Sequence, residues 1–236
     1  MKKIIPNLFT LSNLASGNLA IIAIFSHLYS VALGLIIAAL VFDFLDGFAA
    51  RQLGVHSEMG KQLDSLADIV SFGVAPGVFL FMLMRTAMDQ GSEPIPAFLP
   101  YITVLIPIFT ALRLARFNVD TEQEDFFIGL PSPAGALFLT TYSYWALTTD
   151  DVFARDLLMH PFLITLCVIG TSLFLVARIP MLSLKFKNSS WRENRGRILL
   201  ILLSVVLIVL FRFRAVAFIF PLYLLLSFII NAQKRK

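Results

Sequence analysis

The chain has 236 residues, of which 58% are hydrophobic and only 14% are charged, and its mean hydropathy is +0.84. A soluble domain has no interior large enough to bury so much apolar surface, so this composition excludes a soluble protein and indicates an integral membrane protein. The net charge of +4 reflects basic loops that face anionic lipid headgroups, and we expect no nucleic-acid partner.

Apolar runs predict an all-α protein with about eight transmembrane helices in a single domain, residues 1–236. Each run is near the roughly 17–25 residues that a span requires, although two are shorter and one is longer. The approximate windows are 8–28, 31–53, 59–87, 97–117, 131–148, 160–178, 197–211 and 213–231. We expect the first helix to be retained and not cleaved as a signal peptide, because Pro6, Asn13 and Asn18 interrupt its apolar run. The single cysteine, Cys167, excludes an intrachain disulfide.

Lysine and arginine residues predict the orientation in the cell membrane, because cytoplasmic loops are enriched in them. With eight spans and the N-terminus inside, only four of the 19 basic residues fall outside. These four are Arg85, Arg155, Arg212 and Arg214. Both termini, and the loop between the second and third helices, are therefore predicted to be cytoplasmic.

Four aspartates occupy the second and third predicted helices at helical spacing. Asp43 and Asp46 are three residues apart and Asp64 and Asp68 are four apart, so each pair shares one helix face. A short loop makes the helices antiparallel neighbours, so the acidic faces can meet near the cytoplasmic surface. Each ionised carboxylate within a span costs about 2.5–3.5 kcal/mol, and mutual repulsion adds to this cost. A hard divalent cation offsets it, because carboxylate oxygens are the ligands that Mg²⁺ and Mn²⁺ prefer.

Two other interpretations of the aspartates are possible. A single aspartate at a helix end is commonly solvated in the headgroup zone, but four at this spacing favour a metal site. Intramembrane carboxylates also line cation or proton pathways. Gly47 and Ala50 lie on the same stripe as Asp43 and Asp46, and their small side chains leave a groove wide enough for a nucleotide diphosphate. Ion conduction requires no such groove.

Residues 43–68 read D-x-x-D-G-x-x-A-R-x8-G-x-x-x-D-x-x-x-D, which resembles the signature of the CDP-alcohol phosphatidyltransferases. These enzymes exchange the CMP of a CDP-lipid or CDP-alcohol for an acceptor hydroxyl. The resemblance implies a six-helix core in a homodimer with two Mg²⁺ or Mn²⁺ ions. The implied metal ligands are Asp43, Asp46, Asp64 and Asp68, and Asp68 is also the implied general base. The implied CDP-binding residues are Asn7, Thr10, Asp46, Gly47, Ala50, Arg51 and Gly60.

Four further stretches resemble the membrane-type phosphatidylserine synthases within that family. They are IPNLFTLSN at 5–13, DSLADIVSFGVAPG at 64–77, LRLARFN at 112–118 and GLPSP at 129–133. This resemblance implies phosphatidyl transfer from CDP-diacylglycerol to L-serine in the bilayer. The residues assigned to the acceptor are Arg113, Arg116, Asn118 and Ser132.

The two arginines leave the acceptor open. Arg113 and Arg116 are three residues apart on one helix face, and a pair of guanidinium groups can bind the carboxylate that serine carries. The tendency of basic residues to flank cytoplasmic helix ends explains them equally well. Glycerol 3-phosphate or inositol phosphate would also attract arginines, and the lipid donor could be an ester or an ether. A divalent-cation transporter is the alternative from a different functional class.

Overall fold

The computed structural model describes residues 4–55, 57–90, 96–119, 129–177, 179, 191–211 and 214–234. All regular secondary structure within these ranges is helical. The α-helices are α1 (Ile4–Phe25), α2 (Tyr29–Leu53), α3 (Glu58–Asp68), α4 (Ala75–Gln90), α5 (Leu105–Val119), α6 (Ser132–Thr148), α7 (Val152–Leu158), α8 (Pro161–Val176), α9 (Trp191–Phe211) and α10 (Ala215–Lys234). A π-helical turn, Ile69–Val74, joins α3 to α4, and a 3₁₀ turn, Leu99–Val104, precedes α5.

The prediction of a helical membrane protein is confirmed, and each of the eight predicted windows falls on a helical stretch. Among the described residues, four helical stretches are long and apolar enough to cross a membrane: Ile4–Phe25, Tyr29–Leu53, Glu58–Gln90 and Leu99–Val119. The number rises to five if α7 and α8, which meet at a bend of 52°, form one broken span. The total of eight spans stays a prediction.

The sequence between α2 and α3 ends one helix and starts the next. Gly54 has φ +61° and ends α2, and its N–H reaches back to the carbonyl groups of Ala50 and Arg51, a C-terminal cap that glycine adopts without strain. Ser57 precedes α3 and accepts a hydrogen bond from the Gly60 N–H at 3.0 Å, as expected of an N-cap serine. The connection between the two acidic helices is therefore short, and α1 packs against both of them. Their antiparallel arrangement stays a prediction.

Small residues let the π-helical turn and α4 pack closely against other helices. A Cβ atom added to Gly73 would lie 3.1 Å from the Cα of Pro107 in α5. One added to Gly77 would lie 3.3 Å from the Pro107 ring. Close approach of helices at small residues is the usual packing mode within membranes, and it fixes the depth of α3 relative to α5.

The main apolar core lies among α4, α5, α6, α8 and α10. Leu83, Leu139 and Val168 are completely buried there, and Phe220 of α10 stacks on Phe138 of α6 with ring centroids 4.1 Å apart. The aspartates lie outside this core: Asp43 and Asp46 are in the second half of α2, Asp64 is in α3, and Asp68 is the last residue of α3.

Candidate active site

Three of the four aspartates converge. Asp43 of α2 and Asp64 and Asp68 of α3 each offer a carboxylate oxygen, and these oxygens lie within 4.8 Å of one another. Asp68 is buried and the other two are half-buried. Oδ1 of Asp64 is buried and has no hydrogen-bond partner among the described residues. An oxygen-only donor set with an unused buried oxygen fits a hard divalent cation, so these residues could hold a metal ion.

Asp46 is not among these three residues. Its side chain is buried, and its Oδ2 accepts a hydrogen bond from Thr10 Oγ1 at 2.7 Å. The Pro6 carbonyl is a second acceptor for this hydroxyl, at 3.1 Å. Thr10 therefore fixes one oxygen of Asp46, and the role of Asp46 as a metal ligand stays a prediction.

Asp68 has a partner that the sequence analysis did not assign to the site. Asn13 of α1 is completely buried, and its Nδ2 donates to Asp68 Oδ1 at 3.1 Å. Asn13 follows Thr10 by three residues and so lies on the same face of α1. This spacing could have indicated that both residues face the aspartates.

A cavity of about 640 Å³ lies beside the carboxylates, between the ends of α1, α2, α3 and α5. Its volume is within the range of pockets for small molecules and cofactors, about 300–1,000 Å³. Asp64 lines the cavity and also belongs to the cluster of three aspartates. All seven residues predicted to bind CDP line it: Asn7, Thr10, Asp46, Gly47, Ala50, Arg51 and Gly60. Their contact with a nucleotide stays a prediction.

The two glycines of the cavity make room for polar side chains. A Cβ atom on Gly47 would lie 3.4 Å from Nη1 of Arg51, so the absence of this atom leaves space for the guanidinium group. A Cβ on Gly60 would lie 2.9 Å from Ser57 Oγ and 3.4 Å from Asn7 Oδ1. The cavity thus has a cationic and an amide group in its wall, which suits an anionic, hydrogen-bonding ligand.

Three polar residues of the cavity wall, Ser57, Glu58 and Lys61, were not predicted. Ser57 has a recognisable signal, since a serine before a helix is a common N-cap. Lys61 has none, because one lysine at a helix end that is predicted to be cytoplasmic is explained by membrane orientation alone.

The residues predicted to bind the acceptor lie in three places, and none of them lines the cavity. Arg113 Nη1 donates to Ser132 Oγ at 3.0 Å, and Arg113 Nε is buried without a hydrogen-bond partner among the described residues. Arg116 is exposed, and its Nη1 donates to the carbonyl of Val176 at 3.2 Å. Val176 ends α8, where carbonyl groups lack helical partners. The structure therefore separates the two arginines that share a helix face.

Asn118, the fourth predicted acceptor residue, joins α5 to α3. Its Nδ2 donates to Ser65 Oγ at 2.7 Å, and its carbonyl accepts a hydrogen bond from Lys61 Nζ at 2.8 Å. These bonds hold the end of α5 against the helix that carries Asp64 and Asp68. The acceptor roles of Arg113, Arg116, Asn118 and Ser132 stay predictions.

Known proteins resemble this chain over most of its length. Residues 3–159 match the family model described as CDP-alcohol phosphatidyltransferase. Relatives from several organisms carry the name CDP-diacylglycerol–serine O-phosphatidyltransferase. The one from Mycobacterium leprae is 37% identical over 76% of this chain and 58% of its own length. The one from Helicobacter pylori strain 26695 is 31% identical over 86% of this chain and 81% of its own length.

A third relative, from Bacillus subtilis, is 31% identical over 82% of this chain and 97% of its own length. The family model covers well over half of the chain and includes all four aspartates together with Gly47, Ala50, Arg51 and Gly60. The chain belongs to the CDP-alcohol phosphatidyltransferase family.

Proposed function

We propose that this protein transfers the phosphatidyl group of CDP-diacylglycerol to L-serine, giving phosphatidylserine and CMP. The observation that carries the proposal is the shared position of Asp64, in the cluster of three aspartates and in the wall of the cavity. A metal site next to a pocket for an anionic nucleotide is what transfer between phosphates requires. The names of the relatives support serine as the acceptor.

The cofactor in this proposal is a pair of divalent cations, Mg²⁺ or Mn²⁺. Asp43, Asp64 and Asp68 would hold them, and Asp46 would complete the set from the cavity side. When bound, the cations supply positive charge that neutralises the pyrophosphate oxygens and the departing CMP. Two divalent cations balance four carboxylates, which offsets the cost of placing those carboxylates in a span.

The residues of the chain have separate roles in the transfer. Arg51, in the cavity wall, binds the pyrophosphate of the CDP-lipid. Asp68 accepts the proton of the serine hydroxyl as that oxygen attacks the lipid-side phosphorus. The new bond joins serine oxygen to phosphorus, and the broken bond is the one between that phosphorus and the oxygen that leaves with CMP. This direct displacement requires no covalent enzyme intermediate.

Arg113 is the proposed contact for the carboxylate of serine. Its Nε has no hydrogen-bond partner among the described residues, while its Nη1 is held by Ser132. A guanidinium group anchored on one side keeps donors free for a carboxylate on another. Serine carries that carboxylate, whereas ethanolamine and glycerol do not.

The proposed location is the cell membrane, with the active site and both termini on the cytoplasmic side and the protein as a homodimer. The distribution of lysine and arginine supports this orientation. Labelling from either side of the membrane tests it. In a Cys167→Ser background, a cysteine at exposed Glu58 should react with an impermeant reagent only when the cytoplasmic face is accessible.

The experiment that tests the function measures CMP release from CDP-diacylglycerol by the purified protein. Serine, glycerol 3-phosphate and inositol phosphate are added one at a time, with Mg²⁺, with Mn²⁺ or with a chelator. Release that requires both a metal and serine is the expected result. Release with a different acceptor would overturn the choice of serine. Metal flux in proteoliposomes without CMP release would favour a transporter.

A further inference from the structure

One face of α1 contacts the acidic helices and the π-helical turn through three residues. Thr10 donates to Asp46, Asn13 donates to Asp68, and Gly17 lies against Ser71 of the π-helical turn. Thr10, Asn13 and Gly17 are spaced three and four residues apart, which places them on one stripe of the helix. The first helix of the chain thus supplies a hydrogen bond to a carboxylate on each of the two acidic helices.

We propose that Asn13 is a positioning residue for Asp68, which orients the carboxylate that binds metal and accepts the proton of the attacking hydroxyl. The inference rests on the proposed function for the role of Asp68. The contact itself is between two buried side chains, with Asn13 Nδ2 at 3.1 Å from Asp68 Oδ1. With one oxygen held in this way, the carboxylate can turn only by breaking the bond. Groups that hold a metal-binding carboxylate are commonly as important to a site as the ligands themselves.

The π-helical turn holds Asn13 from its other side. It begins at Ile69, directly after Asp68, and turns of this kind often occur at functional sites because they change the register of the helix that follows. Here the changed register brings Ser71 to α1, where its Oγ donates to the Asn13 carbonyl at 3.0 Å. Gly17 makes this possible, because a Cβ atom there would lie only 2.8 Å from the Cα of Ser71.

The state of the Asn13 side chain argues against a purely structural role. Its Oδ1 is buried and has no hydrogen-bond partner among the described residues. A buried amide oxygen without a partner is unfavourable, and an apolar residue of the same shape would remove that cost. The amide is therefore poorly suited to helix packing alone. What leucine cannot replace is the N–H group that faces Asp68.

The test compares Asn13→Leu and Asn13→Asp with the wild-type protein in detergent. The leucine variant removes the donor while keeping the branching and the number of side-chain heavy atoms, and the aspartate variant replaces it with an acceptor. Asn18→Leu is the matched control, since Asn18 lies on the same helix, is exposed and donates only to its own helix at Leu14. Three quantities are measured: kcat and KM for CDP-diacylglycerol, the Kd for Mn²⁺ by electron paramagnetic resonance, and the melting temperature.

In both Asn13 variants we expect kcat to fall about 10–100-fold, and in Asn13→Leu we expect the Mn²⁺ Kd to rise about tenfold. The KM for CDP-diacylglycerol should stay within about twofold of wild type, and the melting temperature of Asn13→Leu should be unchanged or higher. Ser71→Ala should lower kcat by only a few-fold, because the amide remains in place. Where Asn13→Leu does not fold, Asn13→Ala replaces it with the same expected outcomes.

Wild-type kcat in the Asn13 variants would overturn the proposal, and so would a wild-type Mn²⁺ Kd in Asn13→Leu or an equal loss of kcat in Asn18→Leu. These results are separable from failure of the proposed function. If wild-type protein releases CMP with an acceptor other than serine, the comparison is made with that acceptor. If it releases no CMP, the Mn²⁺ affinities of the same variants still decide whether Asn13 supports the aspartate cluster.

Discussion

The amino-terminal half of the chain, α1 to α5, and the carboxy-terminal hairpin, α9 and α10, are held in place by different kinds of contact. In the amino-terminal half, buried polar side chains bond between helices, as Thr10 does to Asp46 and Asn13 to Asp68. The hairpin packs on α6 through aromatic rings. Phe220 stacks on Phe138 at 4.1 Å, and Phe218 lies 5.4 Å from Trp145 between ring centroids.

This difference distinguishes side chains that fix the positions of the aspartates from side chains that only fill space in the apolar core. Hydrogen bonds are directional and fail when a donor moves by a fraction of an ångström, whereas apolar contact has no preferred direction. Substitutions of the side chains that donate hydrogen bonds to the aspartates in the amino-terminal half should therefore change turnover more than stability. In the hairpin they should change stability and leave turnover alone.

Asp68→Asn should have the largest effect. It keeps the shape of the side chain but removes the proposed base and a metal ligand, so we expect turnover to fall by at least about 10²–10⁴-fold, the usual contribution of a general base. CDP-diacylglycerol binding should be largely retained, because Asp68 does not line the cavity. CMP release and equilibrium binding of the CDP-lipid measure the two effects separately.

Asp89→Asn is the matched control for Asp68→Asn. Asp89 lies in the same helical stretch and is exposed, so its loss should leave CMP release at the wild-type rate. Normal turnover in Asp68→Asn would remove the base from the proposed mechanism. Loss of CDP-lipid binding in that variant would mean that Asp68 serves the nucleotide pocket instead.

Arg113→Gln should have the next largest effect, on the serine requirement. A hydrogen bond to a charged group contributes about 1.5–3 kcal/mol, so the KM for serine should rise about 10–100-fold while the KM for CDP-diacylglycerol stays near its wild-type value. Steady-state kinetics with each substrate varied in turn provide the measurement. An equal rise in both KM values would show that Arg113 supports the fold and not the acceptor.

Arg116→Gln sharpens this prediction, because Arg116 lies on the same helix but donates to the end of α8. A cation at a helix C-terminus contributes about 0.3–1 kcal/mol. We therefore expect a small loss of stability and a serine KM within about twofold of wild type. A rise as large as that of Arg113→Gln would restore the pair of arginines as a joint acceptor site.

Features that depend only on hydropathy or on residue spacing within a single helix could be predicted from the sequence. The helical stretches were predicted from apolar runs of sufficient length, and the shared faces of Asp43 with Asp46 and of Asp64 with Asp68 were predicted from helical geometry. The residues of the cavity wall were predicted from a different source. The seven predicted residues came from the resemblance of residues 43–68 and of the N-terminal segment to a known signature.

Contacts that depend on the register between helices could not be predicted. The spacing of Thr10 and Asn13 indicates that they share a helix face, but it does not show that Asn13 is level with Asp68, because that depends on the depth at which α1 packs. The π-helical turn after Asp68 shifts Ser71 into contact with α1, and hydropathy does not record such a shift. Arg113 and Arg116 illustrate the same point. They share one face of α5, yet Arg113 contacts α6 and Arg116 contacts α8.

Gly17→Ala should have a smaller effect, since it acts on the site only through helix packing. The added methyl group would collide with Ser71, and overpacking of this kind costs about 1–3 kcal/mol. We expect a lower melting temperature and a few-fold loss of kcat as Ser71 and Asn13 are displaced. Gly34→Ala in α2 is the control, because nothing lies within 4 Å of the added atom. Equal behaviour of the two variants would contradict close packing at Gly17.

Phe220→Ala should have the smallest effect on turnover, and it tests the comparison directly. Phe220 is buried and stacked on Phe138, so removing its ring should cost about 3–5 kcal/mol of stability. The measurement is the melting temperature in detergent beside kcat at a temperature where the variant is still folded. Stability should fall while kcat stays within about twofold of wild type, because the ring packs on α6 and has no contact with the aspartate cluster. A fall in kcat comparable to that of the Asn13 variants would mean that the hairpin sets the geometry of the site through α6. The roles of the amino-terminal half and the hairpin would then not be distinct.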